Sequence, residues 1–251
     1  MKFLKLSLAI LVAISMTTLT SCKSDDDETP VNQHEDAYAD VFVKKGRMPA
    51  GVRYGLTYYA GGEGLVSCTV VGPDGGDAVE LAEYWKGAGN LRKHPSQQDM
   101  MAGTTMPTAG NYVFTLTFSN GDTKEITDVL TDVQLDAMTP TTVTYDIDTE
   151  TVSSTWNSVE GAEMYMVVLT EDIGNTGKPI FGKAGIPITE TTYSFDRSTT
   201  AMPGWLQADK PATGDVVYLM TVAIKFEEGK TGDFNNRQMV TAYPSIPAIT
   251  W

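Results

Sequence analysis

Apolar residues recur along this chain mostly at alternate positions, in short runs separated by Gly, Pro, Asn and Asp. That is the period of β-strands half-buried in a sheet. In 37–48 (AYADVFVKKGRM), Ala39, Val41 and Val43 share one side of an extended segment and Phe42 takes the other. Stretches 52–60 and 65–71 also read as strands, closed by Gly61-Gly62 and by Gly72-Pro73-Asp74-Gly75-Gly76. Residues 79–85 fit either a short strand or one or two helical turns. Residues 87–106 carry no regular pattern and read as a long irregular connection. In 111–118, Tyr112, Phe114, Leu116 and Phe118 fall on one face, and Ser119-Asn120-Gly121-Asp122 supplies an Asn-Gly hairpin turn into a return strand over 124–135. No sustained amphipathic helix is predicted.

The pattern breaks at 136–141, around Met138-Thr139-Pro140-Thr141, and then resumes. The expected fold is therefore all-β, with two consecutive Ig-like β-sandwich domains, 37–138 and 139–251. Units of roughly 100 residues are long enough to bury a core without a disulfide. Residues 152–169 (VSSTWNSVEGAEMYMVVL) resemble strands B and C of a fibronectin type III domain. In that family a Trp closes strand B, a Gly-Ala turn follows, and a Tyr opens the alternation of strand C. Trp156, Gly161, Ala162 and Tyr165 occupy those places. Residues 192–195 match the short strand E, 214–226 match strand F, and 239–251 can supply the last strand. The resemblance covers about 141–251 and implies that Trp156 is a core residue. The connections 173–188 and 197–213 are longer than usual for the family.

The N-terminus changes the picture of where this fold works. Lys2 and Lys5 precede an apolar run from Leu8 to about Met16, then Leu19-Thr20-Ser21-Cys22. A positive start, a short apolar stretch and small residues before a cut describe a secretory signal peptide over 1–21, too short to span a bilayer. Leu-Thr-Ser-Cys resembles the bacterial lipobox, which implies that Cys22 becomes the lipidated first residue of the mature chain. Lys23-Ser24-Asp25-Asp26-Asp27-Glu28 resembles the export signal of Bacteroidetes surface lipoproteins. It implies an outer-membrane lipoprotein facing the extracellular side, held through Cys22 by an acidic tether over 22–36. More than one acyl chain suffices for stable attachment.

Charge and chemistry narrow the function. The formal charge is −14 and becomes more negative once the leader lysines are lost, which disfavours nucleic acid as a partner. Cys68 is the one thiol besides Cys22, so no intramolecular disulfide is expected; its β-type surroundings predict a buried, inert thiol. The two histidines, His34 and His94, lie in the tether and in an irregular segment, and no zinc, phosphate-loop or nucleophile-elbow motif occurs. No enzyme activity, cofactor or metal is expected. The acidic pairs Asp74/Asp77 and Asn120/Asp122, and the trio Asp146/Asp148/Glu150, lack the calcium-loop pattern; the last alternates as an exposed strand face would.

Aromatic rings beside Gly-rich connections are the better clue. Tyr84 and Trp85 precede Lys86-Gly87, and Trp205 sits in Met202-Pro203-Gly204-Trp205-Leu206-Gln207. Such rings either stack on a sugar or clamp a peptide, or fold back to plug the end of a sandwich. Tyr84, Trp85 and Trp205 are the candidate ligand-binding residues. Two functions remain open: a non-catalytic binding or accessory module for a glycan or a surface protein, or a structural subunit similar to Bacteroidetes fimbrial proteins. In the second, proteolysis after Arg47 would detach the first strand and a partner strand would replace it.

Overall fold

In a computed structural model of the chain, residues 34–83, 89–171, 179–206, 210–244 and 248–251 are described. The N-terminal half supplies β1 (Tyr38–Met48), β2 (Gly51–Gly61), β3 (Leu65–Val71), β4 (Val79–Glu80), β5 (Ala82–Glu83), β6 (Asn90–Lys93), helix α1 (Gln97–Ala102), β7 (Gly110–Phe118) and β8 (Thr123–Leu130). One sheet runs β4-β3-β7-β8, and β1, β2, β6 and β5 form the layer opposite. The predicted face of β7 is buried at Tyr112, Phe114, Leu116 and Phe118. Across the layers, the Tyr58 ring of β2 lies 6.1 Å from Tyr112 and 6.3 Å from Phe114. The hairpin closes as expected: Gly121, at φ 89°, donates its N–H to Phe118 O at 2.9 Å, a backbone conformation that side chains resist.

The structure resolves the open reading of 79–85 in favour of strand and departs from the sequence reading elsewhere. Residues 79–85 contain two two-residue strands, β4 and β5, and the span 87–106 contains β6 and α1. Helix α1 is too short to show a period, and what starts it is local: Ser96 Oγ accepts the Asp99 N–H, and Asp99 Oδ2 accepts the Ser96 N–H. The return strand β8 stops at Leu130, five residues earlier than expected. The long C-terminal connections contain strands of their own, in which Pro and Gly interrupt the alternation.

The C-terminal half supplies β9 (Thr142–Asp146), β10 (Thr151–Thr155), β11 (Met164–Thr170), β12 (Pro179–Ile186), β13 (Thr192–Phe195), β14 (Pro203–Trp205), β15 (Val216–Phe226), β16 (Arg237–Pro244) and β17 (Ile249–Thr250). One sheet runs β13-β10-β9; the other runs β14-β12-β11-β15-β16, with β17 on β15. Strands in the places of B and E thus share one layer, while C, F and the last strand share the other, the arrangement of an Ig-like sandwich. Between the layers, Trp156 is buried edge-on to Tyr165 at 5.4 Å, and the Tyr165 hydroxyl accepts the Val159 N–H at 2.8 Å. Phe181 stacks on Phe195 at 4.1 Å.

The two sandwiches are joined edge to edge. Strand β1 pairs antiparallel with β2 along its whole length and parallel with β16 through Val43–Met239, Lys44–Val240 and Lys45–Thr241. The result is one ten-stranded sheet, β14-β12-β11-β15-β16-β1-β2-β6-β5 with β17 beside β15, and one buried apolar cluster drawing on both halves. Because β1 is central, it buries Val41 and Val43 on one face and Asp40 and Phe42 on the other. The expected division at 138/139 therefore marks a change of sandwich inside a single compact unit, His34–Trp251.

The connection between the sandwiches lacks a ladder of its own, so side chains supply its hydrogen bonds. Buried Lys45 donates Nζ–H to Leu135 O at 2.6 Å, and Met138 N–H donates to Thr241 Oγ1 at 2.9 Å. Asp136 N–H donates to Glu160 O at 2.9 Å, and a Cβ on Gly161 (φ 83°) would lie 2.5 Å from Gln134 O. Gly161 is therefore fixed by the approach of the connection as well as by its turn. Gln238 binds the end of β8: its Oε1 accepts from Thr131 N and Oγ1 at 2.7 and 2.8 Å, and its Nε2 donates to Val129 O at 2.7 Å. Each buried backbone group left without a partner costs about 1–3 kcal/mol. Gln238→Leu, which keeps the bulk and removes all three bonds, is expected to lower stability by about 3 kcal/mol. A urea titration should show the midpoint falling with an unchanged slope; an unchanged midpoint would mean water replaces Gln238 at no cost.

Candidate functional site

Of the sequence candidates, Cys22, Tyr84 and Trp85 lie outside the described residues. Trp205 is held on β14, where Phe181 pairs with it in register. Its ring lies 5.1 Å from Phe181, 6.0 Å from Phe195 and 6.0 Å from Trp251, and its indole N–H is buried. The Lys210 ammonium sits 5.0 Å over the ring. What this loop shows to solvent is Met202 and Leu206. Trp205 thus takes the inward-packed alternative, with the aromatic cluster gathered around it rather than around a ligand.

The acidic turns are likewise occupied locally. Strand β9 ends at Asp146, and 147–150 form a turn instead of extending an exposed strand face. Asp146 Oδ1 accepts from Asp148 N and Thr149 N, and these bonds hold its carboxyl below the usual range. Glu150 pairs with Arg197 at 2.6 Å. Asn120 donates to Asp122 at 2.7 Å, and Asp122 also meets His34, whose ring stacks on Phe118 at 3.6 Å. His34, expected in the tether, packs against the β7–β8 hairpin instead. Cys68 is fully buried, and burial pushes its thiol up to about 12, in line with an inert role.

The structure gathers chemistry where the two sandwiches meet. Three carboxylates, Asp40 on β1, Asp128 on β8 and Glu227 just beyond β15, bring one oxygen each within 4.8 Å of one another. Two of them stand in for missing ladder bonds beside the short β1–β16 pairing. Asp128 Oδ2 accepts the Val41 N–H at 2.6 Å, and Asp40 Oδ1 accepts the Arg237 N–H at 3.0 Å. Arg237 also donates Nε–H and Nη2–H to Asp40 Oδ2, at 2.9 and 2.8 Å. Burial nevertheless outweighs Arg237 and pushes Asp40 up to about 6. Burial, followed by the charge of Asp128, pushes Glu227 up to about 7, which favours its protonated form beside Asp128. Arg237 offsets the charge of Asp40, and the raised Glu227 lowers the negative charge of the trio.

On the outer face of the shared sheet beside this trio lies a cleft of about 120 Å³. Register explains its walls: Phe42 faces Thr57, Asp40 faces Tyr59 and Tyr59 faces Arg92, so alternate residues of three strands point the same way. Segment 227–236 folds over this face and adds Phe234 and Asn235, with Phe234 edge-on to Phe226 at 5.6 Å. Arg92 and Arg237 flank the Tyr59 ring, with guanidinium carbons 4.7 and 5.5 Å from its centre, and Arg237 lies 4.0 Å over Phe42. His94 closes one side; burial, then the charges of Lys44, Arg92 and Arg237, push its imidazole down to about 4, so it is neutral at physiological pH. Thr57 is 1% exposed, and its Oγ1 has no hydrogen-bond partner.

Sequence reasoning missed these residues because they come from four distant stretches. One signal was present: Asp40 interrupts the apolar run Ala39-Asp40-Val41-Phe42-Val43, which a buried strand tolerates only with a partner for the acid.

No family model matches the chain, and no curated protein matches it. Among solved structures, the CD2-binding domain of CD58 (lymphocyte function-associated antigen 3) is matched at 8% identity over 83% of this chain and 91% of that chain, with a TM-score of 0.23. A superposition at that score carries no argument, and the all-β, Ig-like architecture rests on the strand pairing itself.

The carboxylate trio sets a pH dependence. Asp40 and Glu227 hold protons in the fold that they lose in the unfolded chain near their ordinary values, about 4. Their contribution to stability is therefore fully present below that range and is lost as pH rises through about 6 and about 7. Glu227→Gln, which cannot ionise, is expected to leave stability near pH 5 little changed and to raise it at pH 8, flattening the profile. Urea midpoints at the two pH values check this; a steeper fall in the variant than in the parent would overturn the assignment.

Proposed function

We propose that the chain is a non-catalytic binding module, anchored to the outer membrane through Cys22 and presented on the cell surface, whose ligand site is the cleft at the junction of the two sandwiches. The carrying observation is the cleft itself. A few polar groups converge among aromatic walls on a rigid sheet, the composition of a ligand site. Glycans are the proposed ligand class, because Tyr59 and Phe234 offer rings beside polar groups. Tyr84 and Trp85 remain candidate ligand-binding residues from the sequence. Trp205 does not enter this proposal, since its ring is taken up by packing.

A second reading has one observation in its favour. Arg47 is exposed near the end of β1, and a cut there would free a strand whose lane lies between β2 and β16. A strand from another copy would fit that lane, as in fimbrial assembly by strand addition. Against it, β1 carries Asp40, and its loss would leave Arg237 without the carboxylate it binds.

Two measurements separate the readings. On a glycan array, residues 34–251 are expected to bind, Tyr59→Ala to lose binding, and Trp205→Asn, if it folds, to keep it. N-terminal sequencing of the surface-exposed protein is expected to find β1 intact. Failure to bind any glycan, together with a new N-terminus at Met48, would reverse the preference.

A further inference from the structure

The junction cleft carries an unmatched polar demand. Thr57 Oγ1 is buried without a hydrogen bond, although a hydroxyl in that position costs free energy unless something satisfies it. The Arg237 guanidinium is held by Asp40 through Nε and Nη2, which leaves Nη1 with no hydrogen bond among the described residues. Arg92 is positioned by the Tyr59 ring and by Asn90 Oδ1, which accepts its Nε–H at 3.0 Å. Both guanidinium groups are thus oriented before any ligand arrives. Lys44 follows Phe42 on the same face by strand alternation. Asp40 is the acid that binds the Arg237 guanidinium, and its oxygens are engaged with the backbone and side chain of that residue. In a chain of net charge −14, the cleft gathers Arg92, Arg237 and Lys44 around His94.

Resting on the binding-module reading, we propose that the cleft receives the carboxylate of an acidic sugar, held between Arg92 and Arg237 with Thr57 donating its hydroxyl proton to one carboxylate oxygen. Planar guanidinium groups match the two oxygens of a carboxylate, and stacking on aromatic rings is how arginine is kept ready for such a partner. Size supports an end-group. A whole drug-sized ligand occupies roughly 300 Å³ or more, so a cleft of about 120 Å³ admits the charged group while the sugar ring remains at the mouth, against Tyr59 and Phe234. The overall negative charge of the chain sets a limit as well. It favours a ligand bearing one carboxylate at this position over a dense polyanion, which the rest of the surface would repel.

The test is calorimetric titration of residues 34–251 with sodium glucuronate, glucose and sodium acetate, in the parent, Thr57→Val and Arg92→Gln. Glucuronate is expected to bind at least about tenfold more tightly than glucose, which lacks the charge. Acetate should bind more weakly than glucuronate and compete with it. Arg92→Gln should cost about tenfold in glucuronate affinity, while Thr57→Val, which keeps the shape of the side chain, should cost a few-fold. Equal affinity for glucuronate and glucose, or unaltered glucuronate binding in both folded variants, overturns the inference. If neutral glycans bind and Tyr59→Ala abolishes that binding while glucuronate gains nothing, the binding-module reading stands and the carboxylate assignment falls. If no glycan, neutral or acidic, binds the parent, both fall.

Discussion

Strand β1 must find hydrogen-bond partners along two edges, and the architecture follows from how it does so. One edge is satisfied over its full length by β2. The other meets β16 for three residue pairs only, and beyond them the N–H of Val41 would be buried and bare. Asp128 reaches across from β8 to accept it, Asp40 reaches the other way to Arg237, and Gln238 does the same service for the end of β8. Two sandwiches that could have been beads on a string become one body because an incomplete ladder is finished by side chains. The cost is a cluster of buried acids, and it is offset by a proton and an arginine.

The candidate site is a by-product of the same join. The arginine that neutralises Asp40 lies over Phe42 and beside Tyr59, so the group that closes the interior also forms the wall of the outer cleft. Neither half contains that cleft alone: Thr57, Tyr59 and Arg92 come from one sandwich, Phe234 and Arg237 from the other. Segment 227–236 brings the second set across the boundary, and its packing over Val222, Ile224 and Phe226 keeps it there.

Much of the fold was legible because alternation is a local signal. The β7–β8 hairpin and strands β10, β11, β13 and β15 follow from residues within a few positions of one another, and the resemblance to a fibronectin type III domain carried the core role of Trp156. What sequence periodicity could not show was pairing at long range. Nothing in 37–48 says that β1 lies beside a strand two hundred residues later, although an acid amid apolar residues hints that both faces are buried. The site inherits that difficulty, since its walls are brought together by the β1–β16 contact. Loop position left Trp205 between two alternatives, and the turn decides between them by returning its ring to the sandwich and leaving Met202 and Leu206 outside.

The place where the chain enters the body has a mechanical meaning. Tension along the axis of β1 would load its eleven pairs with β2 together, in shear, rather than one at a time. Phe42, on that strand, is also part of the cleft wall. Tension carried along β1 would reach the cleft wall without crossing the connection at 131–141.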